Sequence, residues 1–123
     1  MRVLLIEDED HIREVAQVSL EAVAGWEVLA ASGGVEGVAI AEAQHPDAIL
    51  LDVMMPDVDG PETLLRLRAS EKASDIPVVF LTAKAQAAEK RQLFELGAVG
   101  VVQKPFDPME LAYQVAELLD VKL

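Results

Sequence analysis

Five short runs rich in valine, isoleucine and leucine punctuate the chain, at residues 3–6, 27–31, 48–51, 78–81 and 99–102. Each predicts a strand. Three of them are almost continuously apolar, the pattern of a strand covered by helices on both faces, which favours a parallel sheet. Between the runs the period lengthens to that of a helix. Ile12, Val15, Ala16, Ser19, Leu20 and Val23 share one helical face, and Val35, Val38, Ala39 and Glu42 mark a weaker helix interrupted by glycine. A third helix follows Gly60-Pro61, with Leu64, Leu65 and Leu67 directed inward and Arg66 and Arg68 mostly outward. A fourth is predicted over residues 86–96, stopping at Gly97. The fifth has Asp107 as N-cap, Pro108 at its first position and Glu110 at its third, resembling a capping box, and continues through Leu111, Val115, Leu118 and Leu119. Five consecutive strand-helix units with short connections predict an α/β fold built on a five-stranded, parallel, doubly wound sheet of order 2-1-3-4-5. That order puts a topological switch between the first and third strands, where open α/β sheets present their sites at the carboxyl ends.

Composition narrows the possibilities. The 123 residues are 52% hydrophobic and 26% charged, the make-up of one globular domain. There is no cysteine, which removes disulfides, thiolate catalysis and cysteine-ligated metals, and suits a reducing cytoplasm. The longest uncharged runs, such as residues 76–83, are eight residues long, far short of the ~18 needed to cross a bilayer. The first apolar run meets Glu7 and Asp8 too soon for a secretory leader, so a cytoplasmic protein is expected. With 22 acidic and 10 basic residues the net charge is −12, which repels nucleic acid and anionic membrane surfaces; no direct nucleic-acid binding by this chain is expected.

The chemistry gathers just beyond the apolar runs. Glu7-Asp8-Glu9 follows the first, Asp52 the third, Thr82-Ala83 the fourth and Lys104-Pro105 the fifth. With the predicted strand order, Asp8 and Asp52 flank one crevice, Glu7 lies beside them, and Thr82 and Lys104 stand on the other side. Carboxylates so gathered repel by about 4 kcal/mol per pair at about 4 Å and an effective dielectric near 20. A hard divalent cation with oxygen ligands offsets that repulsion, and a site of one or two carboxylates with retained waters suits Mg²⁺. Together with the Lys104 charge and the Thr82 hydroxyl, such a site is a clamp for phosphoryl oxygens. Asp52, central in the sheet, is the candidate nucleophile.

The strings Val3-Leu-Leu-Ile-Glu-Asp-Glu, Leu50-Leu-Asp52-Val-Met-Met-Pro56-Asp-Val-Asp-Gly60, Phe80-Leu-Thr82-Ala83 and Lys104-Pro105-Phe106, in this order and spacing, resemble the receiver domain of two-component response regulators over essentially the whole chain. The resemblance implies a flavodoxin-like three-layer (βα)5 sandwich and a single receiver domain over residues 1–123 without an output domain. It implies that Asp52 accepts a phosphoryl group from a histidine kinase or phosphotransfer protein, and that Asp8, Asp52 and the backbone carbonyl of Met54 bind Mg²⁺, with Glu7 acting on the metal through water. Thr82 would move toward the phosphoryl group, Lys104 would pair with it, and the bond before Pro105 would be cis. The responsive surface would be the fourth helix, fifth strand and fifth helix, binding a downstream protein or a second copy of the chain. The chain is then a signalling switch and not a turnover enzyme. Two departures from the family pattern stand out: Val101 occupies the position of the switch aromatic, and Met54 and Lys84 hold the two positions that tune dephosphorylation, from which a long-lived phosphoryl group is expected.

Other readings of the same residues are weaker. Asp57, Asp59 and Gly60 superficially suit a calcium loop, but Arg66 stands where a bidentate glutamate is needed. Gly33, Gly34 and Gly37 do not follow the first strand as a dinucleotide-binding turn would. His11 and His45 lack companion ligands, and Trp26, Phe80, Phe94 and Tyr113 are read as packing residues. A Mg²⁺-dependent phosphohydrolase would place an acid/base aspartate two residues after Asp52, where this chain has Met54. A flavin carrier would not put Glu7-Asp8-Glu9 against a phosphate. A degenerate receiver that only binds partners would have eroded site residues, and these are intact.

Overall fold

The computed structural model describes all 123 residues. In chain order the elements are β1 Arg2–Ile6, α1 Asp10–Ser19, β2 Glu27–Ala31, α2 Gly34–Gln44, β3 Ala48–Asp52, α3 Gly60–Ala69, β4 Val78–Thr82, α4 Ala87–Glu95, β5 Gly100–Gln103 and α5 Leu111–Leu119. A π-helical turn, Leu20–Ala24, continues α1 and ends at Gly25, whose φ of 70° is the left-handed exit for which glycine carries no steric penalty. The strands form one sheet in the order β2-β1-β3-β4-β5, every neighbouring pair parallel.

The near-continuous apolar strands are so because both of their faces are covered. Alternate residues divide between two cores. Leu4, Ile6, Ile49, Leu51, Val78 and Phe80 face one side, against Ala41 of α2, Leu64 and Leu67 of α3 and Leu93 of α4. Val3, Leu5, Leu50, Val79, Leu81 and Val102 face the other, against Ala16 of α1 and Leu111, Ala112, Val115 and Ala116 of α5. All five residues of β3 and of β4 are buried, which fixes the register that brings Asp52 opposite Leu81 and Thr82 opposite Gln103.

Several expectations change in three dimensions. The buried positions of α2 are Gly34, Gly37 and Ala41, while Val35 is exposed. At Gly37 α2 comes so close to β1 that a Cβ would run into the Ile6 side chain, and this close approach, with Val38 and Ile40 packed beside it, seats α2 on the sheet. Leu65 faces solvent, and Arg68 is half-buried because its guanidinium donates to the Ile76 carbonyl at 2.8 Å. Trp26 and Phe80 pack as expected, whereas Phe94 and Tyr113 are exposed. β5 lies one residue later than the apolar run suggests, and α5 proper starts at Leu111. Asp107 still caps, its carboxylate accepting from Met109 N–H at 2.8 Å, but it caps a separate turn over 108–110 whose carbonyl bonds lead into the helix; no bond returns from the Glu110 side chain to complete a capping box.

Candidate functional site

Each candidate residue sits where its strand stops. The Glu7 N–H donates to the Ala31 carbonyl at 3.0 Å, which carries the β1–β2 ladder one residue past β1 and holds Glu7 inside the protein. Asp52 is the buried last residue of β3. Directly after it, Val53 N–H bonds Leu81 O at 3.1 Å and Gly60 N–H bonds Val53 O at 2.8 Å, closing the 53–60 loop back onto the strand end. A Cβ at Gly60 would stand 2.5 Å from the Asp52 carbonyl, so this closure requires glycine. Lys104 N–H donates to the Thr82 carbonyl at 2.8 Å, prolonging β5 and aligning the lysine with the same end of the sheet.

These backbone constraints converge the side chains. Glu7, Asp8 and Asp52 place carboxylate oxygens within 4.8 Å of one another. Lys104 Nζ donates to Glu7 Oε1 at 2.5 Å and to Asp52 Oδ1 at 2.9 Å. Burial pushes the Glu7 carboxyl up to about 7, with the Lys104 bond opposing the rise and the Asp52 carboxylate adding to it. Asp8 is raised as well, by burial and then by Asp52. For Lys104 burial acts to lower the pKa, but the bonds to Glu7 and Asp52 outweigh it and hold the ammonium charged. Three carboxylates against one ammonium leave two negative charges when all are ionised. Hard oxygen donors with that residual charge fit a divalent cation such as Mg²⁺, with Glu7, Asp8 and Asp52 as the groups able to hold it.

A cleft of about 380 Å³ opens on this cluster, lined among others by Asp52, Met54, Thr82, Lys104 and Pro105. The Met54 side chain is 72% exposed at its rim. Thr82 is buried, and its hydroxyl accepts the Lys84 N–H at 3.0 Å and lies 3.3 Å from the Lys84 carbonyl, so it is engaged by the β4–α4 loop and not by the carboxylates. The Lys104–Pro105 bond is cis. Val101 is half-buried in β5, paired in register with Phe80.

Two residues near the site take roles that the sequence reading did not assign them. Asp57 accepts from Gly34 N–H at 3.3 Å and Val35 N–H at 3.2 Å, capping α2 from a loop 22 residues away, and the Val58 N–H first, then these two bonds, hold its carboxyl below the ordinary value. Arg13 Nη1 donates to the Glu7 carbonyl at 2.8 Å. His11 and His45 take no part in the cluster.

Comparison with known proteins agrees with this geometry. The family model for the response regulator receiver domain matches residues 3–116. The DNA-binding dual master transcriptional regulator RpaA of Synechocystis is 42% identical over 118 residues, 96% of this chain and 48% of that protein. The phosphate regulon transcriptional regulatory protein PhoB of Pseudomonas aeruginosa is 40% identical over 117 residues, 95% of this chain and 51% of that protein. The chain thus spans about half the length of the curated relatives it matches. Among solved structures, the Vibrio cholerae chemotaxis protein CheY4 superposes with a TM-score of 0.88 at 31% identity, covering 95% of this chain and 97% of that one. A response regulator from Chloroflexus aurantiacus gives 0.87 at 34%, covering 97% of each. A five-stranded parallel sheet of order 2-1-3-4-5, an acidic cluster bridged by a lysine at its carboxyl end, and a family match over nearly all residues lead to one conclusion: the chain belongs to the family of response regulator receiver domains, the signalling domains of two-component systems.

Proposed function

We propose that this domain is a phosphorylation-controlled switch in which Asp52 accepts a phosphoryl group from the phosphohistidine of a histidine kinase or phosphotransfer protein. The observation that carries the reading is the Lys104 ammonium bridging Glu7 and Asp52 at the mouth of an open cleft. An Asp52 carboxylate oxygen attacks phosphorus, the phosphorus–nitrogen bond breaks, and its electron pair leaves with the imidazole, which takes up a proton; an acyl phosphate remains. Asp8, Asp52 and the Met54 carbonyl would hold Mg²⁺, with Glu7 acting on it through water, and the ion when bound neutralises charge on the phosphoryl oxygens. Lys104 exchanges its Asp52 contact for a phosphoryl oxygen while keeping Glu7. Thr82 gives up the Lys84 backbone for another phosphoryl oxygen, and this loosens the β4–α4 loop.

The readout surface is α4, β5 and α5, where Phe94, Val99 and Tyr113 are exposed and available to a downstream protein or a second copy. With Val101 in place of an aromatic, the signal passes through the Thr82–Lys84 bond instead of a ring rotation. Met54 and Lys84 position no hydrolytic water, so the acyl phosphate is long-lived; release of phosphate within seconds would refute that part.

Intact mass after incubation with Mg²⁺ and a small acyl phosphate tests the reading. One added phosphoryl group, dependent on Mg²⁺ and absent from Asp52→Asn, is the expected result. No adduct under conditions that modify another receiver domain, or an adduct surviving in Asp52→Asn, overturns it.

A further inference from the structure

Asp8 lies on the short β1–α1 loop, and one side chain from α1 spans it, holding the backbone before it and a side chain after it. The Arg13 guanidinium donates through Nη1 to the carbonyl of Glu7 at 2.8 Å and through Nη2 to the carboxylate of Asp10 at 2.6 Å, while the Arg13 N–H donates to the Glu9 carbonyl at 2.9 Å. Glu9 N–H in turn donates to the Glu7 carboxylate at 3.2 Å. The guanidinium therefore ties the backbone before Asp8 to the Asp10 side chain after it, while the bond to Glu9 belongs to the first turn of α1. The Arg13 side chain is only 21% exposed, whereas Asp10 is 90% exposed, so the arm reaching Glu7 is the sheltered one.

We propose that Arg13 is a positioning residue for the metal site: its side chain pre-organises Asp8, through the Glu7 carbonyl and the Asp10 carboxylate, in the orientation that binds the divalent cation. This rests on the reading of Glu7, Asp8 and Asp52 as a Mg²⁺ site. The planar guanidinium fork reaches two acceptors in fixed geometry, which an ammonium on a flexible stem does not reproduce. Groups that orient metal ligands from outside the coordination sphere typically change affinity by about 10-fold to 100-fold when removed.

Electrostatics alone predicts the opposite sign. Arg13 is a cation beside a cation site, so its removal makes the site more negative and strengthens binding of Mg²⁺. The direction of the change therefore separates positioning from simple charge.

The test is titration of the intact chain with Mg²⁺, followed by amide shifts of the β1–α1 loop and the Asp52 region, for the natural protein, Arg13→Met, Arg13→Lys and Asp8→Asn. Mg²⁺ affinity is expected to fall about 10-fold in both Arg13→Met and Arg13→Lys, with faster backbone motion at Asp8 and Glu9 in the metal-free protein by nitrogen relaxation. Arg13→Lys keeps the charge and tests the fork even where Arg13→Met folds poorly. Unchanged or tighter binding in Arg13→Met, or natural affinity in Arg13→Lys, overturns the proposal. Failure of the underlying reading looks different: the natural chain shows no saturable shifts, or Asp8→Asn binds as well as it does.

Discussion

Two groups of carboxylates lie within one end of the sheet and behave in opposite ways. Glu7, Asp8 and Asp52 are crowded at strand ends, and the pKa values of Glu7 and Asp8 are raised. Asp57 and Asp59, a few residues past Asp52, meet the N–H groups of helix starts: Asp57 those of α2, and Asp59 the Glu62 N–H of α3 at 2.9 Å. The pKa of Asp57 is lowered. The side-chain chemistry is the same; what differs is whether a carboxylate meets backbone donors and the positive end of a helix, or other carboxylates at the partly buried strand ends. The first arrangement stabilises the fold. The second costs stability and leaves a site that a cation or a phosphoryl group can use.

The largest way to break the contrast is Lys104→Met, which leaves Glu7 and Asp52 buried without their shared partner. Loss of about 3 kcal/mol is expected at pH 8 in thermal or urea unfolding, with a smaller loss at pH 5, where Glu7 is protonated. Next comes the metal. Mg²⁺ at about 100 times its dissociation constant should stabilise the fold by about 2.7 kcal/mol. Asp52→Asn should raise the metal-free Tm while shrinking that gain; no change in either quantity would contradict the crowding.

Acidity sharpens the comparison further. Because the Glu7 carboxyl titrates near 7 in the folded chain and near 4.5 when free, the folded state binds more protons between those values. Its contribution to stability is complete below pH 4.5 and is lost as pH rises through 7, so without divalent cations the Tm should fall from pH 5 to pH 8. A flat profile would mean that Glu7 is not held protonated. Asp57 has the reverse sign. Its contribution is present above the ordinary value of 3.8 and disappears as pH falls through its lower folded value. The smallest effect is therefore that of Asp57→Ala, a loss of no more than about 1 kcal/mol near neutrality, reduced by solvent exposure and converging on the natural chain in acid. Asp59→Ala should lose about 1 kcal/mol through its own cap.

Much of this is legible in the sequence. Runs of valine, isoleucine and leucine located all five strands, most plainly β1, β3 and β4, whose burial on both faces leaves little place for a polar residue. The acidic and basic residues of the site followed those runs directly. Faces of helices were less legible: α2 fully buries only glycine and alanine, and of its predicted face Val38 packs on the core while Val35 and Ala39 are exposed, and Leu65, Phe94 and Tyr113 show that an apolar residue on a helix is not thereby a core residue.

The sequence by itself determined the alternation of elements, the parallel sheet and the identity of the residues at its carboxyl end, since all of these depend on local period and on which side chains tolerate burial. Only the tertiary structure decided that Lys104 takes Glu7 and Asp52 at once, that Thr82 is held by Lys84, that Asp57 caps a helix 22 residues away and that Arg13 grips the loop of Asp8. Those are contacts between segments brought together by closing the sheet, and no periodicity along the chain encodes which donor will meet which acceptor once the strands are in register.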